Sequence, residues 1–93
     1  MDTSAMLTRI DAFLAALACD LTPDDRRCGW DDQSQKATRE FFSDLRADVA
    51  AGKDVARMPE YISFARGLDS WGVGRGRLFS EAVAIEAMMR NWG

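Results

Sequence analysis

The chain has 93 residues, 47% hydrophobic and 29% charged, with a formal net charge of -3, enough for one domain with a modest core and too little for a second lobe. It contains no histidine and only two cysteines, Cys19 and Cys28, so the usual general base, the usual proton shuttle and the commonest metal ligand are missing. Seven aspartates against three arginines make residues 1–32 acidic, and the chain lacks the basic footprint on which non-specific nucleic-acid affinity rests.

A first helix is predicted from about Ser4 to Asp20. Thr3 or Ser4 offers an N-cap oxygen, and Met6, Leu7, Ile10, Phe13, Leu14, Leu17 and Leu21 recur at helical steps on one side. Its other side carries Thr8, Ala12, Ala15 and Cys19, small residues expected to let a second helix approach. Asp2, Arg9 and Asp11 interrupt this stretch, which therefore reads neither as a signal peptide nor as a membrane span. A cytoplasmic protein with two reduced thiols is expected, Cys19 as a packing residue and Cys28 as a loop thiol.

Thr22-Pro23-Asp24-Asp25 should end the first helix, because the residue before proline is driven out of the helical region, and residues 22–31 are expected to form a loop. The second helix, 32–51, should start at Asp32 with Gln35 as the reciprocal capping partner. Ala37, Phe41, Leu45 and Val49 form its apolar stripe, widened by Phe42, with the Thr38 hydroxyl placed to bond the carbonyl of Ser34. Gly52 is a ready residue for the left-handed turn that closes it.

Pro59 suits the first position of a third helix, 59–70, which carries Tyr61, Ile62, Phe64, Ala65 and Leu68 and is weakened by Gly67. The fourth helix, 77–91, places Leu78, Ala82, Ile85, Met89 and Trp92 on one face, with Glu86 and Arg90 as an i,i+4 pair. No strand-period alternation or internal repeat occurs. The expected fold is all-α, a compact bundle of four helices in one domain spanning 1–93, with the first and fourth helices supplying most of the core.

Two constellations carry chemistry. Trp71-Gly72-Val73-Gly74-Arg75-Gly76-Arg77 leads into a helix N-terminus, where backbone N–H groups and two arginines can hold an anion, or where glycine simply supplies positive φ in a connection. It lacks the preceding strand and the glycine spacing of a nucleotide loop. Glu40, Asp44 and Asp48 recur every four residues beside the apolar stripe of the second helix. Like charges at that spacing cost helix stability, which points to an acidic surface for an arginine-bearing protein as well as to a solvated face. Trp30, Trp71 and Trp92 each adjoin a glycine at an element boundary, where rings cover core ends or, when exposed, anchor partners.

Arginine makes up ten of the twelve basic residues and alanine is abundant, a GC-rich coding bias that points to a bacterium or its phage. The function expected is that of a small, acidic, non-enzymatic protein–protein interaction module: a stoichiometric inhibitor, an immunity or antitoxin-like protein, or a phage anti-defence protein. Its partner-binding residues are Glu40, Asp44, Asp48, Arg75, Arg77 and Trp71. No cofactor, metal or membrane is called for. Two alternatives stand beside this one, a nucleic-acid or phosphate-ligand binder using loop 72–77 and a self-associating subunit that buries the broad face of the fourth helix.

Overall fold

The computed structural model describes residues 3–58, 61, 64, 67 and 72–91. Helix α1 covers Thr3–Ala18, α2 covers Pro23–Arg27 and α3 covers Asp32–Ala50, followed by a 3-10 turn at Val55–Arg57 and by α4 at Arg77–Arg90. Tyr61, Phe64 and Gly67 are helical, in keeping with the predicted third helix; its remaining residues, with Trp71 and Trp92, lie outside the described residues. The fold is all-α, with no strand among the described residues.

Met6, Ile10, Phe13 and Leu17 are the buried residues of α1, at the 4, 3, 4 spacing that keeps one face inward. They pack mainly on α3 and also on α4, so α1 is the central helix. Leu78, Ala82, Ile85 and Met89 come from α4 and Phe42, Leu45 and Val49 from α3. Trp30, 2% exposed, is part of this core rather than an exposed anchor, although its Nε1–H meets no acceptor among the described residues.

The small-residue side of α1 does not receive another helix. Thr8, Ala12, Ala15 and Cys19 are all exposed, because they stand two residues, about 200°, around the helix from the buried set. Cys19 is therefore a surface thiol, donating to the Ala15 carbonyl. Cys28 is the half-buried one, packed against the core.

Residues 22–31 are not wholly loop. Thr22 is extended (φ -75°, ψ 162°), as its position before proline requires, and that geometry is also what an N-cap needs. Its hydroxyl accepts from the Asp25 N–H at 3.1 Å, the Asp25 carboxylate accepts from the Thr22 N–H at 3.0 Å, and Pro23 occupies the first turn of α2. The four residues expected to end α1 thus start α2, while α1 itself stops earlier than expected, at Ala18 rather than Asp20.

The caps of α3 sit one residue earlier than the sequence suggests. Asp31, not Asp32, is the N-cap: its carboxylate accepts from Ser34 N–H at 2.8 Å while its own N–H donates to Ser34 Oγ at 2.9 Å. Gln35 is used elsewhere, its Nε2 donating to the carbonyls of Leu17 and Cys19, both at 2.7 Å, so that α3 closes the open end of α1. The buried stripe is Ser34, Thr38, Phe42, Leu45 and Val49, with Ala37 and Phe41 half-buried. Thr38 Oγ1 is fully buried and bonds no described residue, the Ser34 carbonyl included.

At the other end Gly52 adopts φ +79°, its N–H donating to Val49 O and that of Lys53 to Asp48 O, the paired bonds of a Schellman turn. No described helix is long and apolar enough to cross a membrane.

Candidate functional site

The three carboxylates of the acidic row have different fates. Asp48 faces back toward the fold, where it accepts a hydrogen bond from the Tyr61 hydroxyl and pairs with Lys53 Nζ at 3.1 Å. The Tyr61 bond first, then Lys53, holds its pKa below the ordinary value. Asp48 is thus a brace between the end of α3 and Tyr61.

Glu40 and Asp44 are exposed, and neither bonds nor ion-pairs with another described residue. With Leu14, Arg39 and Ser43 they line a shallow cleft of about 410 Å³ between α1 and α3. Arg39 and Ser43 were not singled out from sequence. Each precedes an acidic residue by one position, so the two form a parallel row at i,i+4, a signal that was present. On the far side of α1 the charges are matched within the chain: Arg9 donates to Glu81 at 2.7 Å. Asp11, between α1 and α3, pairs with Arg46.

The glycine-rich segment is not a free loop. Residues 25–29 and 72–77 run along one another in a seam of four contacts. Arg77 Nε and Nη2 donate to the two carboxylate oxygens of Asp25 at 3.2 and 2.8 Å. Arg75 Nη2 donates to the Arg27 carbonyl at 3.3 Å. A methyl group at Gly76 would stand 2.8 Å from Cys28 Sγ, and one at Gly29 only 2.4 Å from Gly72 O, so both glycines mark places where no side chain fits.

Asp25 is the electrostatic centre of this seam, its side chain 4% exposed. Burial alone would raise its pKa. The Arg77 guanidinium, followed by the Thr22 backbone and hydroxyl, overrides burial and holds it below the ordinary value, while the pairing raises that of Arg77. A buried carboxylate with a bidentate arginine is a structural pair first.

Of the six residues singled out from sequence, Glu40 and Asp44 share one cleft, Asp48 and Arg77 are engaged within the fold, and Arg75 is exposed with one bond to a carbonyl. Trp71 lies outside the described residues. No group of three or more cysteines, aspartates or glutamates is placed to hold a metal ion among the described residues. Compared with known proteins, the chain matches no protein family, no curated protein and no solved structure.

Proposed function

We propose that this protein is a small, acidic, non-enzymatic interaction module that binds a larger protein through the α1–α3 cleft. Glu40 and Asp44 carry the reading: they are exposed and without a partner in the described residues, whereas Asp11, Asp25 and Asp48 all have a cation. Two carboxylates one helical turn apart outnumber the single Arg39 guanidinium in the cleft, so the rim around Leu14 is net negative. A basic protein segment with an arginine and an apolar residue is complementary to it. Inhibitors, immunity or antitoxin-like proteins and phage anti-defence proteins are the classes in which such a module acts stoichiometrically.

Nucleic-acid or phosphate binding at 72–77 is the weaker reading, because Arg77 already neutralises Asp25 and Arg75 leans on a carbonyl. Affinity capture from the source organism, with the wild-type chain and Glu40→Lys/Asp44→Lys as parallel baits, tests the choice. A protein retained by the first and weakened by about 1 to 2 kcal/mol or more with the second, at unchanged helical content, is the expected result. Identical captures by both baits would remove the cleft from consideration. Recovery of nucleic acid that dissociates steeply with salt and needs Arg75 would move the function to the glycine-rich segment.

A further inference from the structure

Between Leu21 and Trp30, both packed against the core, the half-buried Cys28 adds one further contact with it. Asp25 is the only buried residue of α2, and no apolar side chain of residues 22–29 is fully buried. Among the described residues, what else holds this stretch down is the exposed Arg26–Asp32 pair and the seam with Gly72–Arg77, and Asp25 with Arg77 is the one contact of the seam that joins opposite charges. The others are a single bond to a carbonyl and two close approaches at glycines, which contribute no interlocking side chains. A cleft of about 360 Å³, lined by Thr22, Asp24, Asp25, Cys28, Gly76 and Arg77, already runs along this seam.

We propose that residues 22–29 form a strap that opens as a unit about Leu21 and Trp30, latched by the Asp25–Arg77 pair, and that its opening uncovers Cys28 and the N-terminus of α4. Segments with little apolar burial open at lower cost than the core they cover. The latch is electrostatic because a carboxylate as enclosed as Asp25, deprived of its guanidinium, carries its charge at lower cost in water than in place, and reaching water is the opening. The bonds that protect its amides, from Cys28 N–H to Asp24 O and across its far end from Trp30 N–H to Asp25 O, belong to a helix of five residues that cannot persist away from the fold, so they break as the strap opens.

The two cysteines report the motion. Cys19 is exposed, whereas Cys28 sits with its Sγ against Gly76. Treated with a thiol reagent and followed by mass spectrometry, the wild-type chain should modify Cys28 at least about tenfold more slowly than Cys19. Arg77→Met should raise the Cys28 rate at least about tenfold, with the Cys19 rate and the helical circular dichroism unchanged. A Cys28 rate that stays put, or that rises only as helicity is lost, overturns the proposal. Hydrogen exchange of the wild-type chain in low urea gives a second reading that needs no variant. The Cys28 and Trp30 amides should exchange with little dependence on urea while the Leu45 amide responds steeply. A common urea dependence for all three would mean that the strap opens only with the whole bundle, and would likewise overturn it.

Discussion

Phe42 meets Phe13 edge to face with ring centroids 4.8 Å apart, whereas its neighbour Phe41 stacks on Phe64 at 4.1 Å. The first ring is 1% exposed and the second half-buried. Phe42→Ala should therefore cost about 3 to 5 kcal/mol, the loss of a fully enclosed ring plus the cavity left behind, and Phe41→Ala only about 1 to 2 kcal/mol. Urea unfolding of the two variants checks the order; a larger loss at Phe41 would mean that α3 is rotated from the face described.

Capping gives a second discrimination. Gln35→Ala removes the donor that serves two carbonyls at the end of α1, and about 1 to 2 kcal/mol of stability should go with it. Ser34→Ala should cost about 1 kcal/mol, since the hydroxyl answers the Asp31 N–H. Asp32→Ala, at a side chain 87% exposed and outside the capping box, should leave the unfolding midpoint where it is.

The glycines divide by sign. Gly29→Ala places a methyl 2.4 Å from Gly72 O on a backbone at φ +105°, so it should lower the melting temperature sharply. Gly67 is helical with open space around it, and Gly67→Ala should stabilise by about 0.5 to 1 kcal/mol. Thermal scans that ranked the two substitutions the other way would contradict the placement of both.

Asp25, Asp31 and Asp48 all have carboxyl groups held below the ordinary value near 3.8 in the folded chain. The unfolded chain therefore takes up protons first as pH falls. The stability these groups contribute is complete above the ordinary value and is lost as pH drops through it toward their lower folded values. Unfolding midpoints should be flat with respect to these groups from about pH 7 to about pH 5 and decline below about pH 4. Asp25→Asn should start lower and decline less steeply. An acid limb as steep in that variant as in the wild type would show that Asp25 contributes nothing to it.

Periodicity made the helices legible, because Met6, Ile10, Phe13 and Leu17, or Leu78, Ala82, Ile85 and Met89, can line one face only in a helix. Gly52 was legible for a similar reason, since a glycine after Ala50-Ala51 fits a left-handed closing turn. The small face of α1 was not: alanine, threonine and cysteine tolerate burial without demanding it, so composition cannot say whether a neighbour arrives. Thr22-Pro23-Asp24-Asp25 carries one local preference that serves both to stop a helix and to begin one; here it begins α2, and α1 has already ended at Ala18. The acidic row was visible as a spacing, yet the commitment of Asp48 to Tyr61 depends on a chain reversal after Gly52. Asp25 and Arg77 are separated by 52 residues, and nothing near either one announces the other.

The central place of α1 has a consequence for synthesis on the ribosome. Its buried face is completed by α3 and α4, and Arg9 finds Glu81 only across 72 residues. A nascent chain that has released α1 and α3 can join Phe13 to Phe42, but Leu78, Ile85 and Met89 are still inside the exit tunnel or being made. Until α4 emerges, part of the α1 face has no cover, and an apolar surface left open during elongation invites chaperones or other chains. Closing the core is therefore a late, long-range event, and translation through the codons for Arg77–Arg90 sets the earliest moment at which it can occur.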